Sequence, residues 1–446
     1  MNKQLQPETA PQNSIINAEQ EALLWQQAQR SGVDRRRFLY LLSAGGASAV
    51  LAVCNSVAQT AQAATPTPAT TTAQSGPLAT PAAAGTPTVA ATTKASPWFK
   101  DTTPFIKQGD TVLETRLENL DGFITPTEDF FVRNHSVSVD VDPKSWRLVV
   151  EGDAITKPLS LTYQEILELP SRTVFSYLEC AGNQRALFDL VKGKAAPGTQ
   201  WKTGGVGNGE WTGVSVSEVL KLAGIKKNAV DVLFIGLDKA SPEEGLRRAL
   251  PVEKALDPDT LLAYALNGAP LPKDHGFPLR TLAPGWVGAS SIKWLGRIVV
   301  SAQKIWTRNN TTAYVLVGDE YPPEGKAPGK PLTTQVIKSE LALPWPATLA
   351  AGAHRLHGYA HSPAGHIKQV EWSSDNGKTW NAATVLDPQI QYSWARFEFT
   401  WDAKPGKQTI LTRATDVAGN TQPKEIPFNR DGYLFNQPVP HPITVT

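Results

Sequence analysis

The chain has 446 residues, 43 basic and 41 acidic side chains, and two cysteines, Cys54 and Cys180. No Cys-x-x-Cys-His is present for a c-type haem, and two thiols are too few for an iron–sulfur cluster or a Cys-rich zinc site. The sole methionine is Met1, so no internal methionine can ligate a metal, and a net charge of +2 is too balanced for a general nucleic-acid binder.

At about 150 residues per domain, the length accommodates two or three domains. Residues 1–63 read as an export signal. Arg35-Arg36-Arg37-Phe38-Leu39 leads into an apolar run, rich in Ala, Gly and Ser, that ends near Val53. That run is short of the roughly 20 residues of a membrane span. It has the basic, apolar, small-residue order of a secretory signal. The paired arginines before Phe38-Leu39 resemble a twin-arginine signal, which implies a periplasmic or otherwise exported protein. Ala61-Gln62-Ala63 offers a cleavage site, and an uncleaved anchor is the alternative. Residues 64–97 are almost entirely Ala, Thr, Pro, Gly and Ser. They lack the large apolar side chains that offset ordering entropy, so a disordered tether is expected.

Residues 98–317 mix short strands and helices. Trp146 to Glu151 reads as a strand ending at Gly152. Thr162-Tyr163-Gln164-Glu165 is a capping-box pattern opening a short helix that Pro170 ends, and Ser215-Val216-Ser217-Glu218 repeats it before Gly224. Val230 to Leu237 has the look of a buried strand. Helix and strand do not alternate regularly, so an α+β domain is expected rather than a doubly wound sheet. Residues 318–446 open on a Gly/Pro-rich connector and continue as short β runs. Ile367 to Ser373 and Thr379 to Leu386 flank the hairpin signal Asp375-Asn376-Gly377-Lys378. Ala395 to Trp401 alternates apolar with other residues, and Gln408 to Thr415 reads as a further strand. Five to seven strands here fit an immunoglobulin-like sandwich.

Several motifs lead nowhere. Gly204-Gly205-Val206-Gly207-Asn208-Gly209 lacks G-x-G-x-x-G spacing and reads as a loop. No G-x-S-x-G or H-E-x-x-H occurs. His354, His357, His361 and His366 crowd thirteen residues, but His354 and His357 are an odd number apart on an expected strand and face opposite sides. Cys180 differs from these. It follows the apolar run Phe175-Ser176-Tyr177-Leu178 and Glu179, and precedes a permissive Ala181-Gly182-Asn183 turn with Arg185 close behind. A thiol so placed suits a metal ligand, and a buried structural cysteine fits the local sequence equally well.

Cys180-Ala181-Gly182-Asn183 is similar to the cysteine motif of sulfite oxidase-type molybdenum enzymes. Three further segments match that family in order: Phe130 to His135, Asp274 to Arg280, and Gly288 to Arg297. The C-terminal sandwich resembles its dimerisation domain, so the resemblance spans residues 98–446. It implies one molybdenum held by Cys180 and a single pyranopterin, with no haem on this chain. Pterin-binding positions would be Phe130, Phe131, Val132, Arg133, Asn134, Asp238, His275, Arg280, Ser291, Ile292 and Lys293. Arg133 and Arg185 match the anion-binding arginines, and Arg396 matches a third. Trp201 resembles the pocket tryptophan. The active-site tyrosine would be Tyr314, with Tyr321 the other candidate, at a spacing from Trp306 about three residues longer than usual.

The activity implied is oxidation of sulfite to sulfate by oxygen-atom transfer. Gln184 stands where an arginine often follows the asparagine, and Ser291 where a histidine is frequent. Both lower the local positive charge, so sulfite or a related sulfur oxyanion is expected. Without haem, flavin or nicotinamide domains, electrons must leave for a separate c-type cytochrome, and the sandwich implies a homodimer. The alternatives are a sulfane dehydrogenase-type catalytic subunit, a related sulfoxide reductase, and a non-catalytic cell-surface binding module.

Overall fold

The computed structural model describes residues 97–446. The export signal, its cleavage site, Cys54 and the tether as far as residue 96 lie outside the described residues. The described chain is mostly β-strand. Its α-helices are short: Tyr163–Leu167, Ala186–Lys192, Val216–Leu222 and Val252–Leu256. None of its helices is long and apolar enough to cross a membrane.

Two five-stranded sheets build the first part. In one, the order is Leu159–Thr162, Arg147–Glu151, Leu295–Ser301, Asp231–Gly236, Arg247–Pro251. Only Arg147–Glu151 and Leu295–Ser301 run parallel. Alternate residues of these strands (Leu148, Val150, Val232, Phe234, Ile298, Val300) point into one core, as the two-residue period of a strand requires. In the other sheet, Ser171–Glu179 pairs antiparallel along its whole length with Val206–Ser215, from Ser171 opposite Val214 to Glu179 opposite Val206. The expected loop from Gly204 to Gly209 is therefore strand from Val206 onward. The glycines are needed for packing rather than for turning. A Cβ on Gly207 would lie 2.9 Å from the Phe130 ring, and one on Gly209 2.6 Å from a Leu266 methyl.

The two capping patterns part company. Thr162 and Glu165 form the reciprocal box. Ser215 caps nothing, because it still belongs to the Val206–Ser215 strand and its hydroxyl donates to Pro258 O at 2.7 Å.

The C-terminal part is an eight-stranded sheet. Its order is Lys338–Leu341, Gly352–His361, Ala395–Ala403, Asn381–Val385, Ile367–Ser373, Gly406–Asp416, His441–Val445, Ala347–Leu349. The count exceeds the expected five to seven because Lys338–Leu341 and Ala347–Leu349 are too short to show an alternation. Ala395–Ala403 buries every second residue against Ile410, Ile443 and Val445. Asn376 and Gly377 turn the expected hairpin with φ of 60° and 77°, as a two-residue turn of the mirror type requires.

Two histidines are buried in this part. His441 Nε2 lies 2.8 Å from Pro344 O and its ring packs on Trp345 at 5.0 Å. Burial pushes His441 down from 6.5 to about 4, and His361 likewise. Each folded pKa lies below its unfolded value, so the neutral ring's contribution is complete above pH 6.5 and is lost as pH falls towards 4. Urea-unfolding stability should therefore drop on acidification through this window, by up to about 3 kcal/mol per ring. His441→Asn should flatten the profile, and a slope unchanged from the parent would count against this account.

Candidate active site

The Ser171–Glu179 strand delivers Cys180 to its end and stops there. The Cys180 N–H donates to Gly205 O at 2.9 Å, and its carbonyl accepts from the Asn183 N–H at 2.9 Å, closing a turn. A Cβ on Gly182 would lie 2.6 Å from the Arg185 guanidinium, which would have to shift. Cys180 is half-buried and borders two cavities, of about 60 and 310 Å³, which also share Arg133 and Tyr314.

The first cavity is a groove rich in buried cations. Lys293 Nζ donates to Asp274 O at 2.8 Å and also meets Asn134 Oδ1. Arg280 donates to His275 O and Ser291 O at 3.0 and 3.1 Å and lies over the Trp211 ring. Lys100, behind the groove, contacts His275 Nε2 at 3.3 Å. Burial pushes Lys100 down to about 8 and Arg280 to about 9. Burial, with Arg280 next, holds Lys293 well below its usual value, and burial with Lys100 does the same to His275. The carboxylates are Asp238, which accepts from the Leu246 N–H at 2.9 Å, and Asp274. Asp274 is occupied by the Phe99 and Lys100 N–H groups and by Ser138. A groove where cations are reluctant to stay charged is short of negative charge, and an anion entering it relieves that shortage. Phe131 and Trp294 supply flat apolar wall.

The second cavity is lined by Arg133, Arg185, Trp201, Arg308, Asp431 and Tyr433. Arg185 is fixed by Asp431 O at 2.7 Å and Thr199 O at 2.9 Å, with its guanidinium 5.1 Å from the Tyr433 ring centre. Trp201 is fully buried, and no described protein group accepts from its indole N–H. Tyr314 stacks on Tyr433 at 5.5 Å, and its Oη lies 2.9 Å from His135 Nε2. Burial raises Tyr314 well above the phenol range and lowers His135, which Arg133 depresses further.

The family "Oxidoreductase molybdopterin binding domain" matches residues 134–308, and "Mo-co oxidoreductase dimerisation domain" matches residues 334–441. Over 335 residues the chain is 31% identical to sulfite oxidase of Arabidopsis thaliana, covering 68% of this chain and 83% of that protein. The chain belongs to the sulfite oxidase family. It is also 32% identical over 338 residues to mitochondrial sulfite oxidase of Rattus norvegicus, covering 71% of this chain and spanning 60% of that protein's length. Among solved structures it is similar to the sulfane dehydrogenase SoxCD from Paracoccus pantotrophus, with a TM-score of 0.66 and 27% identity over 78% of this chain and 86% of that one.

Membership of the sulfite oxidase family implies a molybdenum–molybdopterin cofactor, and the residues present fit one. A thiol borders the groove, buried cations suit a phosphate, and aromatic wall suits a ring system. No three His, Cys, Asp or Glu side chains among the described residues cluster to hold a metal by themselves.

Of the positions that the sulfite oxidase resemblance implies for the pterin, Phe131, Arg133, Asn134, Asp238, His275, Arg280, Ser291 and Lys293 line the groove with Cys180. Phe130, Val132 and Ile292 do not. Phe130 is fully buried behind the groove, 5.7 Å from the rings of Phe131 and His275. Val132 packs with Trp98, Phe105 and Leu113, and Ile292 belongs to the main core.

Of the substrate positions, Arg133, Arg185, Trp201 and Tyr314 meet at the second cavity. Tyr321 borders neither cavity. Arg396 is placed elsewhere. Its guanidinium is committed to Asp387 at 2.8–3.0 Å and to Asp121 O at 2.7 Å, in a separate cleft with Arg355, His357 and Glu398.

Four residues at the site escaped sequence reasoning. His135 closes the Phe130–His135 motif, and Arg308 sits two residues after Trp306, so both had a local signal. Asp431 and Tyr433 had none, because only the fold brings them to Arg185 across 246 residues.

Proposed function

We propose that this chain oxidises sulfite or a related small sulfur oxyanion by oxygen-atom transfer. In this reading it is exported by the twin-arginine route and passes electrons to a separate c-type cytochrome. Residues 98–317 would form the catalytic domain. Residues 318–446 would form an immunoglobulin-like domain that pairs two copies, in keeping with the dimerisation-domain match.

The observation that carries the reading is the place of Cys180, whose side chain borders both a cation-rich groove and an arginine-lined cavity. Cys180, Lys293, Arg280 and His275 would hold the molybdenum cofactor in the groove, where it would supply two-electron oxygen-transfer chemistry. The protein's own groups then handle the anion. Arg133 and Arg185 orient it and offset its charge in a partly dry cavity, where charge-assisted hydrogen bonds are strong. The unpartnered Trp201 N–H is one further donor. Burial keeps Tyr314 protonated. With its proton on Nε2, His135 donates to Tyr314 Oη and leaves the hydroxyl hydrogen for an oxyanion oxygen.

The test is to express the protein with the cofactor pathway and follow sulfite-dependent cytochrome c reduction. Arg133→Gln should raise KM by about tenfold or more, the worth of a charge-assisted hydrogen bond, and weaken inhibition by sulfate. Unchanged kinetics would remove Arg133 from the anion site. A second reading, a sulfane dehydrogenase-type catalytic subunit, is favoured by the likeness to SoxCD. Stoichiometric molybdenum without sulfite turnover would move the conclusion to it.

A further inference from the structure

We propose that Lys338 and Glu340, on the strand that opens the C-terminal domain, are positioning residues for the Cys180 loop. The proposal rests on Cys180 as the metal's protein ligand. All four residues of Lys338–Leu341 are buried, and side chains two apart share a face. On one face, Ser339 ties the strand to its own domain through Thr412 Oγ1 and Gln422 Oε1, at 2.9 and 2.6 Å. On the other face, Lys338 and Glu340 reach across to the loop. Glu340 Oε1 accepts from Gln184 Nε2 at 2.6 Å and from Asn183 Nδ2 at 3.2 Å. Lys338 Nζ lies 2.5 Å from Glu179 Oε1 and 3.4 Å from Asn183 O. Gln335, just upstream, donates to Glu179 O at 2.9 Å.

The loop needs such a brace. Glu179, Asn183 and Gln184 have no solvent exposure, so water cannot stand in for these partners. Gln184 holds φ at 70°, a conformation that side-chain-bearing residues adopt only when their surroundings over-determine it. Burial, with Glu179 next, pushes Glu340 well above the usual carboxyl range, so it serves as a neutral acceptor for two amides. A glutamine can take over that role. The second domain thus sets where the thiol of the first domain stands, and a displacement of about 1 Å at a reacting centre can cost on the order of 100-fold in rate.

The test uses the full-length chain with Cys54→Ser, in which Cys180 is the single thiol. In the cofactor-free protein, Glu340→Leu should speed alkylation of Cys180 by about fivefold or more, and Glu340→Gln should return the rate to within about twofold of the parent. In the loaded enzyme, Glu340→Leu should lower kcat by about tenfold with little change in KM, and shift the Mo(V) paramagnetic resonance signal, with Glu340→Gln restoring both. Parental alkylation and spectrum in Glu340→Leu would overturn the proposal, as would equal disturbance by Leu and Gln. Should Glu340→Leu not fold, Gln184→Leu removes the same contact from the loop side and must reproduce the effect. A parent chain without molybdenum would overturn the metal reading alone, and the alkylation rates would still decide whether Glu340 braces the loop.

Discussion

Cys180→Ala is expected to give a folded protein that still takes up its cofactor but loses sulfite-dependent activity by more than ~1000-fold, or ~4 kcal/mol of transition-state stabilisation. Folding should survive because the change is small and local. The turn around Cys180 is made by its backbone, through Gly205 O and the Asn183 N–H, and alanine keeps both bonds. The side chain is only half-buried, so little packing is lost. The groove residues Lys293, Arg280 and His275 are untouched, so on this reading the pterin keeps the metal while the metal loses its protein thiolate. Metal analysis, a cytochrome c reduction assay and a melting curve on the same preparation separate these effects. Stoichiometric molybdenum with undiminished turnover in Cys180→Ala would end the assignment of Cys180 as ligand.

Lys338→Met is expected to have the largest effect on stability, about 3–5 kcal/mol, because it strands the Glu179 carboxylate in the interior. Both side chains of the pair are fully buried. Glu179 keeps Asn183 Nδ2 at 3.0 Å, a neutral donor that cannot replace an ammonium, and His361 Nε2 stands 3.8 Å away on a ring that burial keeps uncharged. The double replacement Glu179→Gln with Lys338→Met should recover most of the loss, since a buried pair removed together costs far less than one partner removed alone. Denaturant titrations of the two single variants and the double variant measure this coupling. A Lys338→Met protein within about 1 kcal/mol of the parent would show that the interior tolerates the lone carboxylate.

Much of the site was legible because it is built from local runs. The strand into Cys180 and the turn after it are written in consecutive residues, as is the box at Thr162 and Glu165. The groove also followed from motifs, since Asp274 to Arg280 and Gly288 to Arg297 each carry groove residues on one short stretch. What was not legible depends on contacts between distant segments. Arg396 occupies a regular strand position that says nothing of Asp387, which captures it from the preceding turn. Gly207 and Gly209 read as loop formers until the Phe130 ring and the Leu266 methyl are seen against them. The Ser215 pattern matches a cap by spacing, but its hydroxyl had a nearer partner in Pro258. Lys338 and Glu340 would pass as polar residues of a surface strand, and only the packing of the two domains buries them.

The far wall of the arginine-lined cavity has a bearing on how the protein is made. The segment from Asn429 to Leu434 supplies the carbonyl of Asp431 that fixes Arg185, and its Leu434 N–H docks on Ala181 O at 3.0 Å, beside Cys180. Every other residue at the site precedes it in order of synthesis. A ribosome that has released Cys180 must still add some 250 residues, on the order of half a minute at ~10 residues per second, before the cavity can close.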